Sequence, residues 1–268
     1  MPSDHPARRR SRPSRPGVAE VREIRVGVHD RDLQDEVIRY LTDAKLRSVA
    51  ANTELLDAQE AERAKRFSHF LARRYYRDRL DRGFRYSARL IGPEQTPERV
   101  VETPDFDSIL ERCTLGSLDT SREVGQVARA RLLPLRQEEW WVELLDYELA
   151  FFIQLATSES TVAGPVPKRN RSAILHRFQF RLPELLEGLR AGQSPAGDLR
   201  GGVTLLFSRT HHGKIYVVEA DLSVMAVLGA IDGLKTQEEI IGTCAISASE
   251  TRRILSTLSD IGTIVPGP

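Results

Sequence analysis

Residues 138–157, EEWWVELLDYELAFFIQLAT, carry the strongest apolar pattern in the chain. Trp140, Trp141, Leu144, Leu145, Phe151, Phe152 and Leu155 recur at helical spacing, and Val142, Leu149, Ala150 and Ile153 fill most of the opposite side. A helix that is apolar nearly all round belongs inside a protein. Glu143, Asp146 and Glu148 interrupt it too often for a membrane span, which needs about 20 mostly apolar residues. The pattern therefore predicts a buried central helix joining two halves.

Before it, residues 21–28 alternate Ile24, Val26 and Val28 as a short strand would, and residues 32–49 follow helical spacing through Leu33, Val37 and Leu41. A start signal at Asn52 and Thr53 opens a long charged helix towards Tyr86, with Ala64, Phe67, Leu71 and Tyr75 as its inner face and Gly83 as its break. Thr103-Pro104-Asp105 starts a short helix, and a further one over 119–133 ends at Pro134.

After it, Gly164, Pro165 and Pro167 mark a boundary within 161–171. Residues 173–180 read as a strand, 182–190 as a helix, and 203–209 with 214–219 as a hairpin around His211-His212-Gly213. Three helices follow at 222–231, 236–243 and 247–261, with Asp221, Thr236 and Ser247 at N-cap positions and Ser247 and Glu250 at capping-box spacing. The fold class is α+β, mostly α: a basic tail without order (1–20), a helical partner-binding domain (21–160) and a small winged-helix-like module of hairpin plus three helices (170–268).

Composition narrows the function. Lys and Arg number 39 against 38 Asp and Glu, a balance unlike that of a dedicated nucleic-acid binder. The five arginines of residues 1–17 are a local excess without apolar partners, which predicts a solubilising tail more than an anion-seeking arm. Two cysteines, Cys113 and Cys244, make neither a disulfide framework nor a zinc motif, consistent with a cytoplasmic setting, and no apolar leader or membrane segment is expected. Phosphate-loop motifs are missing, and the six histidines form no i, i+3 or i+4 pair, so no metal site and no catalytic residue is expected. His211 and His212 read as a solvent-exposed turn and His69 as a hydrogen-bonded helix histidine. Glu148, inside the most apolar helix, needs a partner; an arginine of the long helix such as Arg77 or Arg79 would supply a buried ion pair. Trp140, Trp141 and Glu148 are the candidate partner-contact residues, with one tryptophan as an interface anchor.

Several segments together resemble a known family. LLDAQEAERAKRF at 55–67, RYYRDRLDRGFRYSARLIG at 74–92, FDSILERC at 106–113, LLDYELAFFIQLA at 144–156 and the C-terminal GVTLLFSR…YVVEADLSVMAVLGAIDGLKTQEEII…ETRRILSTLSDIGTIV are similar to bacterial accessory proteins of the DUF2063 type, so-called DNA-binding proteins. These bind multinuclear non-heme iron oxidative enzymes that modify ribosomally made peptides. The partner subunits of thiaglutamate and methanobactin biosynthesis look like relatives in role. The resemblance implies a non-catalytic subunit in a heterodimer, with no cofactor of its own and the iron in the partner.

The C-terminal part also resembles a PqqD-like peptide-recognition element, which accepts a leader peptide as an extra strand. That implies Lys214, Ile215, Tyr216, Val217, Val218 and Glu219 as the docking strand, with Arg252, Arg253 and Leu255 on the helix lining the groove. Core packing of Tyr216 and Val218, and a solvated face for Arg252 and Arg253, are the plain alternatives. A second reading makes the terminal helices a winged-helix DNA reader through Ser249, Thr251, Arg252 and Arg253. A third, an unrecognised enzyme, rests only on Glu148 and scattered carboxylates.

Overall fold

The computed structural model describes residues 41–47, 58–158, 164–193 and 199–267. The basic tail, the strand expected at 21–28 and the helix start at 52–53 lie outside them. Residues 41–47 are helical apart from a bridge between Asp43 and Thr114.

The long charged helix is α1 (Ala58–Gly83), and after Gly83 the chain restarts as α2 (Arg85–Leu90). Gly83 does more than end the helix. A Cβ there would sit 2.8 Å from Phe152 Cβ, and one at Gly125 would come within 2.9 Å of the Phe152 ring. The two glycines thus let neighbouring helices close on Phe152 from different sides. The buried line of α1 is Ser68, Ala72, Tyr76 and Leu80, one position on from the expected one, while Phe67 and Phe70 stand 50% and 55% exposed. On this face Tyr76 packs edge-on to Phe106 at 6.0 Å.

Two 3-10 turns (Pro93–Gln95, Pro97–Glu102) lead to α3 (Pro104–Leu110), capped by the Thr103 hydroxyl, and α4 (Leu118–Leu132), capped by Ser117. A 3-10 turn at Leu133–Leu135 then leads into α5 (Glu139–Ala156), the expected central helix. Trp141, Leu144, Leu145, Phe152 and Ala156 are fully buried; Val142, 38% exposed, shows that one side reaches solvent.

The second half begins with β1 (Lys168–Arg169), which pairs with the last strand β5 (Ile264–Val265) in a two-stranded ribbon that no sequence pattern announces. Between them lie β2 (Ile174–Phe180), α6 (Leu182–Arg190), β3 (Arg200–Arg209), β4 (Ile215–Glu219), α7 (Leu222–Ala230), α8 (Gln237–Thr243) and α9 (Ala248–Asp260). The three helices and their caps match expectation except in one respect. The reciprocal capping box forms at Thr236 and Glu239. Ser247 caps α9, but the Glu250 carboxylate turns to Arg253 instead of closing a box.

β2, β3 and β4 make one antiparallel sheet in that order. Alternation along β3 buries both of its faces: Val203, Leu205 and Phe207 join the core built on α5, whereas Leu206 joins a second core with Val227, Ile240, Ile254, Leu255 and Leu258. The sheet is therefore the middle layer, α5 on one side and the three-helix unit on the other. A single core joins the helical half, through Ala156, to Phe178, Leu182 and Phe207, so the boundary expected within 161–171 does not divide the hydrophobic core. The protein is α+β and mostly helical.

Candidate functional site

Of the four carboxylates of α5, Glu143, Asp146 and Glu148 are each committed to a neighbouring element. Glu143 accepts the backbone N–H groups of Gln179 (2.8 and 2.9 Å) and Phe180 (2.9 Å), where the β2–β3 register shifts. Asp146 pairs with Arg129 at 2.5 Å. Glu148, with no exposed surface, accepts the N–H groups of Tyr86 at 2.6 Å and Ser87 at 3.2 Å. Those are the second and third residues of α2, among its orphan first-turn donors, and its own N-cap residue, Phe84, offers no side-chain acceptor. The expected arginine partner is thus replaced by a helix N-terminus: Arg77 instead reaches Glu102, and Arg79 donates to backbone carbonyls. Burial pushes the Glu148 carboxyl up to about 8, against the opposing hydrogen bonds from Ser87 and Tyr86.

This corrects two of the three partner-contact expectations. Glu148 and Trp141 are interior groups, Trp141 Nε1 donating to Leu132 O at 3.2 Å, so neither presents a surface to a partner. Trp140 is half-buried, edge-on to Trp141 and with the Arg136 guanidinium 5.4 Å from its ring centre. His69 also differs from expectation, since its buried Nε2 has no hydrogen-bond partner and burial lowers its pKa.

At the other end of the molecule, β4 forms an edge of the sheet. The bonds Thr210 N–H to Lys214 O (2.9 Å) and Ala220 N–H to Thr204 O (2.8 Å), with the pairings Leu206 to Val218 and Ser208 to Tyr216, set the phase of the ladder. Tyr216 and Val218 exchange their backbone bonds with β3, and Ile215, Val217 and Glu219 point N–H and C=O away from it. Among the described residues no strand pairs with that outer side.

The side chains of β4 divide differently. Tyr216 and Val218 pack against the three-helix core and Val217 against the α5 core, all half-buried, so core packing is the role the structure gives Tyr216 and Val218. Lys214 and Glu219 are exposed at opposite ends. What the edge offers is chiefly its backbone. On α9, Arg252 and Arg253 are exposed, with Arg253 held by Glu250 at 2.5 and 3.0 Å. Leu255 is 4% exposed and belongs to the second core, which corrects its assignment to a groove wall. Thr251 is fully buried and its hydroxyl donates to Ser247 O, which leaves α9 few side chains able to read bases.

Beside the hairpin end of β4 lies a cleft of about 670 Å³. Its walls come from the hairpin (Arg209, His211, Lys214, Tyr216), the end of α5 (Thr157), Asn170 and the β5 strand. Arg209 Nη1 donates to the carbonyls of Gln154 and Thr157, closing the C-terminus of α5 as a cation should. Gly262 fits here because of its backbone: φ is 76°, and a Cβ would stand 2.3 Å from Arg209 O. Asn170 ties the ribbon to the same point, donating to Gly262 O at 3.1 Å. Arg209, Asn170 and Glu143 are missed by sequence reasoning, because each acts through contacts with backbone distant in the chain. His211 and His212 are exposed at the hairpin tip with ring centres 3.6 Å apart.

No family model and no curated protein matches the chain. Among the described residues no group of three or more His, Cys, Asp or Glu converges as a metal site would require, and no helix is long and apolar enough to cross a membrane.

Proposed function

We propose that this protein is a non-catalytic accessory subunit that binds an extended precursor peptide along β4 and holds it for a partner multinuclear non-heme iron oxidase. One observation carries the reading: the outward N–H and C=O groups of Ile215, Val217 and Glu219 have no strand partner among the described residues, and a cleft borders that edge. Such an edge gains main-chain hydrogen bonds from an added strand, and left bare it invites aggregation. In this reading the iron belongs to the partner. The subunit acts by tethering, which converts encounter between peptide and oxidase into an intramolecular event at an effective concentration on the order of millimolar. Trp140, half-exposed beside Arg136, is the remaining candidate for the oxidase contact.

A duplex-reading function is disfavoured by the buried Thr251, the Glu250-bound Arg253 and the near-zero net charge. Co-expression with the neighbouring genes, followed by purification through a tag on this chain, tests the proposal. An iron-containing oxidase and a short peptide should elute together. A chain that elutes alone and shifts duplex DNA in a salt-sensitive way overturns it.

A further inference from the structure

We infer that the cleft at the hairpin end of β4 receives an acidic side chain of the bound peptide, and that this contact sets the peptide's register and direction. The inference rests on strand addition at β4 and adds what the peptide must carry.

A backbone edge alone cannot choose a register, because every extended peptide offers the same N–H and C=O ladder. Choice must come from side chains at the ends of the strand. The two ends of β4 differ in sign. At the hairpin end, Lys214 is exposed, its Nζ 4.7 Å from the Tyr216 ring centre, and it makes no ion pair among the described residues. Arg209 adds a second cation to the same cleft. At the far end Glu219 is exposed, and Asp221 follows, its carboxylate capping α7 through Val224 N–H at 2.8 Å.

A polar atom beside the cleft also lacks a partner. Thr157, 3% exposed, is among the lining residues, and its buried hydroxyl makes no hydrogen bond. Buried polar atoms left unpaired are costly and are ordinarily satisfied by water or ligand. Asp260 is the one acidic residue among those lining the cleft, against Lys214 and Arg209, so the balance there favours an anion. An extended chain rises about 3.3 Å per residue, so a peptide matching both ends would carry an acid and a base about five residues apart.

The test is a selection of short linear peptides of random sequence on the immobilised full chain, followed by binding of individual winners to three forms: wild type, Lys214→Glu and Val217→Pro. Val217 N–H points outward, so proline there removes an edge donor and leaves the bonds to β3 in place. Winners that depend on Val217 should share an Asp or Glu at one position and bind Lys214→Glu about tenfold more weakly or worse. Changing that acid to Lys should restore binding to Lys214→Glu. Winners that depend on Val217 but share no acid, or ignore Lys214→Glu, overturn the inference and leave strand addition standing. A selection without any Val217-dependent peptide overturns both. Should Val217→Pro fail to fold, the paired charge reversal at Lys214 decides the inference by itself.

Discussion

Glu148 on the central helix accepts the backbone N–H of Tyr86, 62 positions earlier in the chain, at 2.6 Å and thereby caps the helix that begins at Arg85. The cap comes from a carboxylate with no exposed surface, so the packing of α5 against α2 and the local stability of α2 are one interaction. Removing the acceptor strands two buried donors. Glu148→Ala is expected to cost about 3 kcal/mol in urea unfolding, and Glu148→Gln, which keeps one acceptor oxygen, clearly less.

The same carboxyl gives stability a pH dependence of definite sign. Its native pKa is raised by burial from 4.5 to about 8, so the native state holds a proton that the unfolded chain releases. The contribution is fully present below about pH 4.5 and is lost as pH rises towards about 8. Unfolding free energy measured across that window should fall by an amount on the order of a few kcal/mol more in wild type than in Glu148→Gln. Parallel pH profiles for the two proteins would contradict this.

The two adjacent tryptophans should behave as opposites. Trp141→Ala opens the interior and is expected to cost about 4 kcal/mol, whereas Trp140→Ala should cost about 1 kcal/mol or less in the isolated chain and, under the proposed function, act mainly on binding of the partner. Acrylamide quenching of the single-tryptophan variants provides an independent check. Trp140 should be quenched and Trp141 protected.

Gly262→Ala is expected to destabilise by about 2 kcal/mol or more, since alanine would meet both a positive φ and the Arg209 carbonyl. Gly192, also at positive φ but with open space around it, should tolerate alanine at about 1 kcal/mol. Thermal unfolding of the pair separates close approach from backbone conformation.

Local signals in the sequence reported local structure well. The periodicity of α5, the break at Gly83, the caps at Thr103, Asp221 and Thr236, and the hairpin around Gly213 all follow from spacing and turn chemistry. The inner face of α1 was misplaced because aromatic Phe67 outweighs Ser68 in any hydrophobic pattern, although it is Ser68, Ala72 and Tyr76 that allow the close approach. The roles of Glu143, Glu148 and Arg209 could not be read at all: their partners are backbone groups of other elements, which carry no mark in the side-chain sequence. The position of β4 at the edge of the sheet was legible. The supposed contact residues were not, since Tyr216, Val218 and Leu255 follow the same alternation whether they face a peptide or a core.

The central claim, that β4 is a peptide-binding edge, is tested most directly by amide hydrogen exchange of the full chain with and without a co-purified or selected peptide. In the free protein, Ile215, Val217 and Glu219 amides should exchange quickly, and Tyr216 and Val218, bonded to β3, slowly. With peptide bound, the three fast amides should become protected and the two slow ones remain as they were. Protection that appears elsewhere, with Ile215, Val217 and Glu219 still exchanging freely, would contradict the account.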